Sequence, residues 1–512
     1  MTAFMLLSTV LPGLAVETAP LERGTAIIDP LALRELDQGR FGIGGMLLPE
    51  RSSNPPLGSG QMFSLPSMIP VRAAIDAEFE RYLAKHKQKL SNETIGVGDG
   101  FDFQLFDRTL LDAANTRFVL AGIVNRIDRA FVDEASCGEI RLIYRLTRTK
   151  PASGDATAPS RLPMTLNVVL KAKGGLGVDR RGKAITCPGI AQRWLAAGEL
   201  SQTGVALAGE LLGERGPLDL FDHQNIDRIE TNIQIAHAPK SAVRDFRTDY
   251  LLKVFRYDAR AREFQEAPME NQIDRDRLLA DDGLRREFKA WLLEPRHLAE
   301  FDSGTVLIPD KFLAKGAIAA TPAGFDNSDL QPEFGLMQGE GANPVFAESD
   351  IVSALKKAAA DGAKLQNIRS VGGFERRLND VTCSGCHQTR GIGGFHFPGV
   401  DWMAEKPSNS TVVPASPHFF GDQVRRRNIL TAMRDGKPAD YSRGFSSRPQ
   451  LRGSTELAGT EYGDGWGAHC YAPGKPVASN DASFRGWSCA EGLACQVAGK
   501  TSRMGMCFVK SR

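Results

Sequence analysis

Beyond its first nineteen positions the sequence has no run approaching the roughly twenty apolar residues with which a helix spans a bilayer, so no membrane-spanning helix is expected. Nor is there an excess of charge of one sign: 63 Lys and Arg stand against 61 Asp and Glu, a net +2. This balance gives no support to nucleic-acid binding or a polybasic membrane anchor. No internal repeat of about 20 to 50 residues and no low-complexity tract occurs, which sets aside solenoids and arrays. Neither a Gly-x-Ser-x-Gly elbow nor a His-Glu-x-x-His motif is present. "GLGVDRRG" has glycines but not the spacing and lysine of a phosphate loop, and reads as a turn. Asp222 precedes His223 in "FDHQNIDRIE", but adjacent side chains point apart, which argues against a catalytic pair. His237 closes a strand and reads as structural.

What is present begins with an apolar run from Phe4 to Val16, in which Gly13 and Ala15 sit like the small residues of a signal-peptidase site. Residues 1–16 therefore read as a signal peptide, although no Lys or Arg precedes the run, and the chain is expected to be periplasmic or secreted. Its eight cysteines agree with an oxidising compartment. Four of them, Cys470, Cys489, Cys495 and Cys507, crowd into the last 43 residues, where Gly, Ser and Ala leave little apolar surface to bury. Crosslinks are what would stabilise such a tail. Cys137 and Cys187, each at the edge of an expected regular element, are expected to pair; connectivity elsewhere stays open.

Strands are expected in "RFVLAGIVNRID", "GEIRLIYRLTR", "MTLNVVLKAK", "IETNIQIAHA" and "DYLLKVFRYDA", which carry alternating or continuous apolar runs rich in β-branched and aromatic residues. Their short spacing points to a largely antiparallel sheet, interrupted by a helical pair over 189–214. Helices are expected over 71–90, 274–294, 350–366 with Ser349 as cap, 371–380 and 421–433. The fold class is α+β: an antiparallel sheet body with flanking helices over 17–345, a small helical module over 346–455 and a cysteine-rich tail over 456–512.

The definite chemical signal is "NDVTCSGCHQTRGIGGFHF", residues 379–397. Two thiols at i and i+3 on a helical turn can reach both vinyl groups along one porphyrin edge, and the next side chain, His387, then lies beneath the ring for the iron. Structural zinc would need two further ligands, and the next pair of cysteines lies more than 80 residues away. A redox dithiol belongs at a strand-to-helix turn, whereas this pair follows a helix. Zinc and a plain thiol pair remain the competing readings, with haem foremost.

Residues 375–435 resemble a c-type cytochrome module, on Cys383, Cys386 and His387. The resemblance implies one covalent haem c per chain, with both cysteines as thioether anchors and His387 as proximal ligand. It covers about 60 of 512 residues, lacks the Pro-x-Met segment of small carriers and belongs to a much longer chain. Candidates for the distal side are His396, His418, Met403 and Met433, or an open position. Arg390, Arg425, Arg426 and Arg427 are suited to the propionates, with Arg390 and Arg426 foremost. Residues 375–450 carry 11 basic against 7 acidic groups, an excess that would also suit an acidic partner or a solvated helix face.

Three functions follow as expectations. The first is single-electron transfer by a monohaem oxidoreductase component, whose partner is a redox protein. The second is a haem peroxidase or oxygenase with an open iron, in which a distal histidine would be an acid-base group and the partner a small-molecule oxidant. The third is a secreted binding protein without a redox role.

Overall fold

The structure is a computed structural model that describes residues 23–49, 56–133, 135–149, 161–173, 177–179, 181–238, 247–321, 345–366, 368, 370–383, 399–400, 402–403, 412–413, 423–443, 469–471, 493–497 and 504–509. The ten strands of its main sheet are β1 (Ala26–Ile27), β2 (Ile95–Gly96), β3 (Phe103–Leu105), β4 (Thr116–Arg126), β5 (Glu139–Arg148), β6 (Arg161–Lys171), β7 (Ile226–Ala238), β8 (Arg247–Asp258), β9 (Glu263–Ala267) and β10 (Gly316–Thr321). β4 to β8 pair in sequence order, each antiparallel to the next. β1 borders β4, and β9 and β10 divide the outer edge of β8 between them. β3 extends the β6 side of β7 and pairs parallel with β2. The expected α+β fold with a largely antiparallel sheet is thus what the chain builds.

One face of this sheet is apolar. Side chains alternate along a strand, so Ile140, Leu142, Tyr144 and Leu146 of β5 join Leu166 and Val168 of β6 and Ile229 and Ile233 of β7 in one core. Helices α1 (Pro30–Gln38), α2 (Ile43–Leu47), α3 (Ser59–Phe63), α4 (Ile69–Lys89), α5 (Cys187–Ala197) and α6 (Gly204–Leu212) supply its other half, through residues such as Leu33, Phe79, Trp194 and Leu207. Local chemistry sets their starts. Asp29 accepts from Ala32 N at 2.8 Å ahead of Pro30, and Thr186 accepts from Gly189 N at 3.2 Å ahead of Pro188.

A second core gathers α7 (Arg275–Ala280), α8 (Asp282–Leu292), α9 (Pro295–Ser303), α10 (Glu348–Ala360) and α11 (Val371–Val381) around Phe288, Phe301, Phe312, Phe346 and Phe374. Its members come from both sides of the expected 345/346 boundary, so that line runs through a packed core. The helix expected over 274–294 is two helices. Asp281 is extended, and its carboxylate accepts from Leu284 N at 2.9 Å, which starts α8 afresh. α10 opens at Glu348 with Ala347 at the cap position and Asp350 taking the Ala347 N–H at 2.9 Å, so Ser349, the expected cap, lies inside the first turn.

α12 (Gln423–Arg434) lies against α5, and its Leu430 enters the main core. Cys137 and Cys187 form the expected disulfide, with Cα atoms 5.2 Å apart. A short pair, β11 (Gly399–Val400) with β12 (Val412–Val413), and a tail sheet of β13 (His469–Tyr471), β14 (Leu493–Val497) and β15 (Met504–Val509) complete the described elements. Among the described residues no helix is long and apolar enough to cross a membrane. The expected signal peptide lies outside them.

Candidate functional site

The second face of the sheet carries charge. Alternation that turns Ile140 and Leu142 to the core turns Glu139 and Arg141 the other way, and the same holds for Arg228 and Glu230 beside Ile229. A polar sheet face ordinarily meets water. Here it is covered: exposure runs from 4% for Arg141 and Glu230 to 9% for Arg228. Register brings these side chains together across strands that are distant in sequence. Arg141 stands opposite Val169, Val169 opposite Arg228, and Arg228 opposite Arg256, a row across four strands.

Ion pairs fill the row. Glu139 lies 3.2 Å from Arg129, 3.3 Å from Arg141 and 2.9 Å from Arg228. Glu230 lies 2.8 Å from Arg141 and 3.0 Å from Arg228, and Arg129 also grips Glu270 through both terminal nitrogens. Burial would raise the Glu139 carboxyl, but the guanidiniums of Arg228, Arg129, Arg141 and Arg126 outweigh it and hold the group well below the carboxylate range. Gly138 makes the turn into β5 with φ +100°, and a Cβ there would meet the Arg126 carbonyl oxygen at 2.6 Å, so only glycine suits the position.

A cavity of about 320 Å³ opens beside this lattice. Arg129, Glu139, Arg141, Arg228, Glu230 and Arg256 line it from the sheet side, while Val306, Val381, Cys383 and Arg443 line it from later in the chain. Cys383 is the first cysteine of the haem-attachment pattern. It lies two residues past the end of α11 at 9% exposure, its Sγ donates to the Glu270 carbonyl at 3.5 Å, and it packs with Leu252, Val254, Met269 and Ala319.

Next to the cavity is a second buried knot centred on Asp128. Arg126 Nε approaches its carboxylate at 2.9 Å, Arg425 Nη2 at 2.9 Å and Arg443 Nη2 at 3.0 Å. Burial pushes Asp128 up, and Arg126, Arg426, Arg443 and Arg425 together bring it well below its ordinary value. Arg377, fully buried, donates to the Arg443 carbonyl at 3.0 Å and to that of Asp302, which ties α11 to this knot.

Of the residues singled out from sequence, Cys383 reaches the cavity. Arg426 donates to the Asn125 carbonyl at 3.1 Å, which places it at the seam between α12 and β4, with Arg425 beside it on Asp128. Arg427 is exposed. Met403 Sδ accepts from Arg117 Nη2 at 3.9 Å and Met433 packs against the main core. Cys386, His387, Arg390, His396 and His418 lie outside the described residues. Asp222 accepts from Gln224 N at 2.8 Å and caps a short turn.

Sequence reading missed Arg129, Glu139, Arg141, Arg228, Glu230 and Glu270. Its available signal was opposite charge at i and i+2 on one face of two strands, "GEIRL" and "DRIET". No protein-family model matches the chain, and no curated protein or solved structure matches it.

Cys383 stands where an apolar patch of the sheet meets the arginine-lined cavity. Of that patch, Val254 and Cys383 face the cavity, beside Arg129, Arg228 and Arg443. Conversion of the thiol to a thioether would remove the donor now directed at the Glu270 carbonyl.

Proposed function

We propose that the chain is an exported monohaem c-type cytochrome that acts in single-electron transfer as an oxidoreductase component. In this reading Cys383 and Cys386 anchor the haem, His387 is the proximal ligand, and His396 or His418 is the distal group. Bound haem c supplies one-electron redox chemistry; the chain positions it, shields it and sets its charge environment. The observation that carries the reading is the seat of Cys383, between an apolar patch and an arginine-lined cavity. Arg443 and Arg129 also lie in that lining, Arg443 paired with Asp128 and Arg129 with Glu139 and Glu270, so an anionic rim would meet guanidiniums already engaged.

A second reading, a haem peroxidase or oxygenase with an open iron, is favoured by the cavity itself. A carrier needs no chamber beside its cofactor, whereas an enzyme does. The tail is read as crosslinked: Cys495 and Cys507 are direct Cα partners in the β14–β15 ladder, a spacing disulfides accept.

Visible absorption of protein made with a haem-attachment system, before and after carbon monoxide is added to the reduced form, tests all of this. A low-spin spectrum unmoved by the gas is expected of the carrier. A high-spin spectrum that shifts would replace it with the enzyme. Absence of a Soret band would overturn both and leave a secreted binding protein.

A further inference from the structure

The charged cavity holds more than an attachment edge requires. Burying a carboxylate with a guanidinium costs about as much hydration as the attraction returns, so a lattice of such pairs adds little stability over apolar packing. Every lining carboxylate is engaged: Glu139 by three arginines, Glu230 by two, Glu270 by Arg129, Asp227 by Arg228 at 2.9 Å and Asp133 by Lys171 at 3.5 Å. One lining cation stands apart. Arg256 is exposed, sits across the register from Arg228, and pairs with no carboxylate among the described residues.

The far wall has the same sign. Burial pushes Arg443 well below the usual arginine range, and although Asp128 opposes this, Arg126, Arg425 and Arg129 push the same way. A cation could enter only by drawing a carboxylate from its arginine, whereas an anion finds a guanidinium waiting. At about 320 Å³ the cavity is at the lower end of small-molecule sites, room for a few carbons.

We propose that this cavity is a binding site for a small organic carboxylate, held by the planar donor fork of Arg256 and drawn inward by Arg443. The site goes beyond the haem reading and does not rest on it. Calorimetric titration with succinate of the full-length protein, made with a haem-attachment system, at constant ionic strength, tests it beside the variant Arg256→Gln, whose exposed side chain leaves the fold intact. One succinate per chain is expected, with affinity lowered roughly tenfold or more in R256Q. No saturable binding up to about 10 mM, or equal binding by R256Q, would overturn the site. Inorganic phosphate or tetramethylammonium filling the cavity where succinate does not would overturn the ligand class. The Soret band of the same sample keeps the two readings separable: a band without succinate binding sinks this site alone, and binding without a band sinks the haem alone.

Discussion

Glu139 shows how far a single side chain can matter here. It is approached by three arginines at 8% exposure, so removing its charge leaves guanidiniums buried with fewer partners. Glu139→Gln is expected to cost about 3–5 kcal/mol, read as a lowered urea midpoint at neutral pH. Acid should act through the same groups. The folded-state carboxyls of Glu139 and Asp128 are both held low, so their stabilisation is complete above the unfolded values of about 4. It is lost as pH falls from there through the lower folded values. Urea midpoints that stayed flat from neutrality to about pH 3 would contradict this assignment. The pairs at i and i+2, such as Glu139 with Arg141, left a trace in the sequence, but those between strands did not, because Arg141 and Glu230 are 89 positions apart and meet only through strand register.

At the scale of elements the sequence was most legible where periodicity was strong. The five expected long strands correspond to β4 to β8, and the helical pair to α5 and α6, because β-branched alternation and helix caps are local properties. The break at Asp281 was missed because the apolar spacing of 274–294 continues across it, and only the carboxylate's bond to Leu284 N starts a second helix. Cysteine spacing was readable in part. The bond between Cys137 and Cys187 links the turn before β5, which lines the cavity through Ser136 and Gly138, to the first residue of α5. Peptide mapping without reduction should recover a Cys137–Cys187 crosslink and, from the β14–β15 register, a Cys495–Cys507 crosslink. Recovery of Cys495 with Cys470 or Cys489 would show that register does not govern the tail.

Across the whole molecule, one core draws on both sides of the expected 345/346 line. Phe346, Ile351, Phe374 and Leu378 share a core with Phe288, Phe301 and Phe312, and Arg425 and Arg443 reach back to Asp128. A chain truncated after residue 345 would strip that core of its later half. Its urea transition is expected to broaden and shift to lower concentration relative to the full chain, as separate measurements by fluorescence and circular dichroism would show. Coincident, full-strength transitions in the truncated chain would support the expected boundary instead. What the sequence by itself determined is local: the α+β class, the strands and their alternation, and the cysteine and histidine spacing in "CSGCH", since each depends on residues a few positions apart. Tertiary structure alone decided that the polar face of the sheet is buried and that its charges pair. It also decided that Cys383 ends at their edge, because burial and cross-strand neighbours are set by the closure of distant segments and leave no local trace.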